Sequence, residues 1–243
     1  MNEAVINIEA QGDGPDTVSA KNGSQQDTIQ KLADGIVYCI RSGQMVPGQH
    51  LVESDLTRRF GVSRGSLREG LKHLAADGIV TLTRFRGAYI SALDRKAVHD
   101  LLDVLEPLCT LAARVAATKG GTPEQLDSLC AIAQDLAKRG PGSQIATYLE
   151  NRRRFYDLLI EIGGNAELGR VIPLTRTDLF RAQFDKVQTR EQQKRHANGY
   201  ARIAEAVVAH DPARAEKAVR KHFIGTRATV DDLPEEVFSS SYA

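Results

Sequence analysis

Residues 51–80 read LVESDLTRRFGVSRGSLREGLKHLAADGIV, and this stretch constrains the fold more than any other. Leu51, Leu56 and Phe60 suit a short helix. Gly61-Val62-Ser63 follows as a tight turn, with Ser63 placed to cap the next helix. That second helix is predicted from Arg64 to Asp77. Leu67, Leu71 and Leu74 recur at i, i+4 and i+7 on one face, while Arg64, Arg68 and Lys72 lie about 100° away by the 3.6-residue period. Helix, turn, helix with a basic stripe on the second helix is the geometry that enters a DNA major groove. Directly after it, TLTRFRGAYIS alternates Thr81, Thr83, Tyr89 and Ile90 around Arg-Gly. This predicts a small β-hairpin, a wing with Arg84, Arg86 and Gly87 at its tip. A solvated helical hairpin whose basic residues only aid solubility would share the helix pattern, so pattern alone leaves both readings open.

The rest of the chain is patterned differently. Its 243 residues suffice for two ordinary domains, and 42% hydrophobic with 26% charged residues excludes global disorder. Without Trp and with 5% aromatics, the composition favours helices over a β-sandwich. Residues 1–24 show no lasting apolar period and are predicted to be a flexible arm; 25–92 hold the winged helix; 94–230 read as helical throughout, a bundle of about six helices; 231–243 read as a tail. In the bundle, Thr122-Pro123-Glu124-Gln125 is a capping box with proline at the first helical position. Gly140-Pro141-Gly142 and Gly163-Gly164-Asn165 are breaks, Asp211-Pro212 opens the last helix, and Pro173 is expected to kink the helix it interrupts. The fold class is therefore mostly α.

Formal net charge is +1, yet residues 27–92 carry nine Lys and Arg against six acids, an excess that suits a nucleic-acid partner. Cys39, Cys109 and Cys130 are odd in number and form no CxxC pair, which points to reduced thiols. With no signal peptide and no apolar run long enough for a bilayer, a cytoplasmic protein without a membrane partner is expected.

The run IRSGQMVPGQHLVESDLTRRFGVSRGSLREGLKHLAADGIV, followed by RGAYI, resembles the winged helix of GntR-family transcription regulators over about residues 26–91. The family commonly shows SRTPVREAL at the recognition helix; residues 63–71 here read SRGSLREGL, with Gly65-Ser66 in place of Thr-Pro. The resemblance implies that Arg64 and Arg68 contact bases or nearby phosphates and that the Gly87 region reaches the minor groove. The candidate DNA contacts are Ser63, Arg64, Ser66, Arg68, Lys72, Arg86 and Gly87.

The helical block is similar to the FCD effector domain of the FadR subfamily through LDVLEPLCTLAARVAA, RRFYDLLIEIGGNAEL and HDPARAEKAVRKHF. The resemblance implies an antiparallel bundle around a cavity in which many members hold a divalent metal with one Asp and three His. At the corresponding positions this chain has Arg152, Tyr156, Tyr200 and His222, so only the last ligand survives. A zinc-like site needs three or four N, O or S ligands, and His196, one turn before Tyr200, is the single candidate for a shifted one. The metal site is expected to be lost, leaving no cofactor.

Helical geometry turns Arg152 inward, while Arg153 and Arg154 point to solvent with Asp157 and Glu150 as partners. A buried guanidinium needs a counter-anion. Two sources stand. One is the carboxylate or phosphate of an effector bound by Arg152 with Tyr156, His196, Tyr200 and His222; the other is a bundle acid such as Glu106 or Asp103. The resulting expectation is a homodimeric, ligand-responsive repressor on a palindromic double-stranded operator, released by a small organic acid. A DNA-binding regulator or architectural protein with no effector is the nearest rival. An enzyme is disfavoured: no Ser/His/Asp or Cys/His constellation, phosphate loop or HExxH is present.

Overall fold

The computed structural model describes residues 16–138 and 144–238, with side chains described from Gln26 onward. The N-terminal unit comprises α1 (Asp16–Arg41), β1 (His50–Leu51), α2 (Glu53–Phe60), α3 (Arg64–Ala76), β2 (Val80–Thr83) and β3 (Gly87–Ile90). Gly61 closes α2 in the left-handed region at φ 64°, a conformation only glycine adopts without strain. Two residues on, the Ser63 hydroxyl accepts from the Ser66 amide at 3.1 Å and starts α3. The Leu67, Leu71 and Leu74 face packs with Leu32, Ile36 and Ile40 of α1. Gly70 permits this approach: a Cβ there would sit 2.6 Å from a Leu32 methyl carbon.

The hairpin pairs Val80 with Ile90 through to Thr83 with Gly87. A further strand, β1, adds to the other edge of β3, giving the order β1-β3-β2. Leu51, expected in the first helix of the motif, lies in this strand instead and is buried in the sheet's share of the core.

Among the described residues the C-terminal unit has seven α-helices rather than about six helices: α4 (Arg95–Lys119), α5 (Pro123–Ala137), α6 (Ile145–Gly163), α7 (Ala166–Val171), α8 (Leu174–Phe184), α9 (Arg190–Val208) and α10 (Pro212–Asp232). The Thr122 capping box forms, Gly164 ends α6 in the left-handed region, and the Asp211 side chain accepts from the Arg214 amide at the start of α10. Pro173 does not kink a helix. It stands at the N-cap of α8 and separates α8 from the six-residue α7. Helix α4 packs on α6 and α10, and α9 packs on α5 and α10.

Two terminal expectations change. Asp16 to Ser24 begin α1 rather than belonging to an arm, while residues 1–15 and the predicted Gly140-Pro141-Gly142 break lie outside the described residues. The segment after α10 is not a free tail. Phe238 is buried, 5.2 Å from the Phe184 ring, with the Arg95 guanidinium 4.3 Å above it.

Helix α8 belongs to both units. Its Phe180 and Phe184 sit in the C-terminal core, whereas Leu179 sits in the core of the winged helix. Gln183 clamps the connection between the units: its side chain donates to the Leu93 carbonyl and accepts from the Leu93 amide, each at 3.0 Å. Among the described residues no helix is long and apolar enough to cross a membrane.

Candidate functional site

The basic stripe of α3 is on the surface. Ser63, Arg64, Arg68 and Lys72 are exposed and Ser66 is half-buried beside Ser63, whose hydroxyl lies 3.0 Å from its own. Arg68 Nε lies 3.2 Å from Glu53 Oε2, and Lys72 is 2.7 Å from Glu69. These exposed pairs orient the side chains but hold them weakly, so phosphate can displace the acids. At the wing, Arg86 and Gly87 are exposed; the Gly87 backbone sits so close to His50 that a Cβ would lie 2.9 Å from its Nε2. Helix α3 and the wing thus present cations on one unit, while Leu67, Leu71 and Leu74 fix α3 from behind.

The second cluster is buried in the helical unit. Arg152 and Tyr156 come from α6, Arg181 and Asp178 from α8, His196 and Tyr200 from α9, and His222 and Thr226 from α10. The five residues expected to hold an effector are brought together. The Arg152 guanidinium lies 5.1 Å from the Tyr156 ring centre, Tyr156 lies 6.3 Å from Tyr200, and Tyr200 lies 4.8 Å from His222. His196 stacks on His222 at 4.2 Å; its Nε2 is 3.3 Å from the Tyr200 hydroxyl and its Nδ1 3.3 Å from Thr226 Oγ1. The room for His222 comes from Gly199, where a Cβ would fall 2.0 Å from Nδ1.

The electrostatics of this centre are those of a buried site that holds two guanidiniums. Burial, then Arg181 and Arg152, push the His222 imidazole down to about 3, so it is neutral near pH 7. Burial raises Tyr156 and Tyr200 above the usual phenol range, leaving both as neutral hydroxyls, and pushes Cys109 up to about 12. Arg152 does have a protein counter-anion, but neither Glu106 nor Asp103, which both pair with Arg227. Its partner is Asp178: Arg152 Nη1 donates to Oδ1 at 3.2 Å.

Asp178 is shared. Arg153 Nη2 donates to its other oxygen at 3.5 Å, and Arg41 Nε of α1 approaches to 3.9 Å. Burial raises the Asp178 carboxyl, and the three guanidiniums oppose that shift. Arg153 is therefore not part of a solvated face. It reaches Thr175 and Asp178 on α8, Glu150 pairs with Arg41 at 2.7 Å, and Arg154 alone of the three is exposed. Between α1 and the α6–α8 region a cleft of about 610 Å³ opens, lined by Arg41, Arg153, Thr175 and Arg176, with Asp34 and Asp157 also on its walls.

Residues 28–90 match the model for bacterial regulatory proteins of the gntR family, and residues 98–225 match the FCD domain model. The chain belongs to the GntR family and carries an FCD domain. An uncharacterized HTH-type transcriptional regulator of Mycobacterium tuberculosis is 30% identical over 82% of this chain and 87% of its own length. The Glc operon transcriptional activator of Escherichia coli is 26% identical over 84% and 89%. Among solved structures, E. coli McbR/YncC superposes with a TM-score of 0.71 at 14% identity, covering 84% of this chain and 97% of that one, a likeness of fold.

This GntR-family regulator is a DNA-binding transcription regulator, and α3 lies within the matched segment. The donor set at its FCD centre does not fit a divalent metal. Guanidinium and phenol groups stand where carboxylate and imidazole would ligate, Arg181 adds a second buried cation, and only His196 and His222 remain as imidazoles. Among the described residues, no group of three or more His, Cys, Asp or Glu is placed to hold a metal ion. Sequence reasoning missed Arg181 and Asp178. The segment LTRTDLFRAQF mixes polar and apolar residues without a helical period, so nothing in the sequence marked this pair as buried.

Proposed function

We propose that this regulator is a repressor whose hold on a palindromic operator is released by a small organic anion bound in the FCD domain. The observation that carries this reading is the set of buried polar atoms left without a partner. Arg152 Nε, Arg181 Nε and His222 Nδ1 have none among the described residues, and Asp178 is the acid set against Arg152. A carboxylate or phosphate group entering this centre would satisfy guanidinium donors whose desolvation is otherwise uncompensated. Tyr156 and Tyr200 would donate their hydroxyl protons to it, and His196 and Thr226 would hold His222 in register.

Release follows from the position of Asp178. An anion that takes Arg152 for itself leaves Asp178 to Arg153 and Arg41, and Arg41 belongs to the winged-helix unit. The ligand thereby interacts differently with two arrangements of α8 against α1, the requirement for any ligand-driven shift. Two-fold symmetry of a homodimer would match a palindromic site, and the protein would act in the cytoplasm, where its DNA is.

The test is thermal unfolding of chelator-treated protein against a panel of small organic acids, with and without zinc. An acid at about 100 times its dissociation constant adds about 2.7 kcal/mol of stability. The expected result is a metal-independent rise in melting temperature that Arg152→Met abolishes, with the same acid lowering operator affinity. A response to zinc alone would overturn the reading and return His196 and His222 to consideration as ligands.

A further inference from the structure

The wing tip carries a residue that the fold does not need. Thr83 to Arg86 form a turn closed by the Arg86 amide on the Thr83 carbonyl at 3.4 Å, and the Thr83 hydroxyl donates to the Gly87 carbonyl at 3.0 Å. Phe85 occupies the third position of this turn at φ 70°. That position, with positive φ, ordinarily takes glycine or asparagine, and a bulky aromatic there is strained. The ring gains nothing from the core in return. Phe85 is 93% exposed, and among the described residues its ring meets the Arg84 guanidinium, 5.1 Å from its centre. Its two neighbours in sequence, Arg84 and Arg86, are exposed. Tyr38 and Ile224, also large and exposed, are 64% and 65% accessible and sit on helices, where no backbone strain accompanies them.

We infer that Phe85 is an apolar wedge that the wing drives between two base pairs of the operator, unstacking them and bending the duplex. The inference rests on the DNA-binding reading of α3 and adds to it a deformation of the DNA. An aromatic or aliphatic side chain inserted at a base step is a recognised way to kink a duplex from the minor groove, and the flanking arginines supply the cations that hold phosphates on either side. The strained turn gives the geometry. A positive φ at Phe85 projects its side chain outward from the hairpin end, away from the sheet, with the short Gly87 beside it. Flexible pyrimidine–purine steps are the sites where such insertion is least costly, so the wedge also confers a sequence preference at a position no hydrogen bond reads.

The probe is a duplex selected by the full-length protein from a randomised pool, carrying 2-aminopurine at successive positions across the half-site and a donor–acceptor dye pair at its ends. Wild type is expected to raise 2-aminopurine fluorescence at one step flanking the α3 footprint and to shorten the end-to-end distance. Phe85→Gly and Phe85→Asn, both suited to positive φ, should abolish the two signals and weaken binding about tenfold while the melting temperature stays equal or rises. Phe85→Leu, which keeps an apolar wedge, should retain part of the bend. Tight binding by wild type with no unstacked step, or unchanged bending by Phe85→Gly, overturns the wedge and leaves DNA binding intact. Failure of wild type to enrich any duplex, with Arg68→Ala indistinguishable from it, overturns the DNA reading itself.

Discussion

His222 makes the FCD centre a reporter of its own protonation. The residue is 6% exposed, stacked on His196 and Tyr200, and within the field of Arg152 from α6, Arg181 from α8 and Arg202 from α9. Its imidazole titrates near 3 in the folded protein, against about 6.5 in an unfolded chain. Because the folded value is depressed, the unfolded state binds the proton first. The stability tied to neutral His222 is therefore complete above about pH 6.5 and is lost as pH falls toward 3. At pH 5 the unfolded histidine is almost fully protonated and the folded one is not, a loss of about 2 kcal/mol relative to pH 8. Urea unfolding at pH 8 and pH 5, at one protein concentration, measures the loss; His222→Gln should remove about that much of the wild-type pH dependence. Equal pH dependence in wild type and variant would refute a buried neutral imidazole. The same linkage gives a functional readout for the proposed effector: an anion bound beside His222 would raise its affinity for a proton, so effector binding should take up protons increasingly as pH falls toward 3, and the Gln variant should not.

Two further perturbations separate the surface site from the buried one. Arg68→Ala should cut operator affinity by ten- to a hundredfold, equivalent to about 1–3 kcal/mol for a bidentate base contact, when anisotropy is measured at fixed salt; unchanged affinity would remove α3 as the reading helix. Its unfolding midpoint should move little, since Arg68 and Glu53 are both exposed. Asp178→Asn leaves Arg152 buried without its counter-ion, and chemical denaturation should show a loss of about 3–5 kcal/mol; a loss under about 1 kcal/mol would mean that another acid pairs with Arg152 or that water solvates it.

The elements legible in the sequence are those whose signal is local. Gly61 with Ser63, Thr122 with Gln125, and Asp211 with Pro212 each act within one turn, and each ends or starts the helix it was expected to. The recognition face was legible because α3 is buried on one side only. Helix α8 was not, for the opposite reason. Leu174, Thr177, Asp178, Leu179, Phe180, Arg181 and Phe184 are all buried, so no polar face marks its period. Arg153 was misread on the same account: a wheel of α6 alone places it toward water, and only the arrival of α8 with Thr175 and Asp178 covers it. The two-residue strand β1 is too short to leave a pattern, and Pro173 separates two helices because the chain turns there.

The double burial of α8 gives the proposed regulation a physical link between the two units. Leu179 fills part of the winged-helix core, so α8 cannot rotate without disturbing the packing behind α3. The same turn places Asp178 and Arg181 at the buried cluster, where one carboxylate faces Arg152, Arg153 and Arg41. Three cations on one anion is an arrangement that a second anion can relieve, and in a low-dielectric centre that relief is a large fraction of the few kcal/mol a two-state element requires. The pair that would be broken and the side chain that would move lie on consecutive residues of one helix. On the proposed effector reading, a ligand would need no long pathway to reach the DNA-binding unit; it would have to change the partner of Asp178, and Leu179 would move with it.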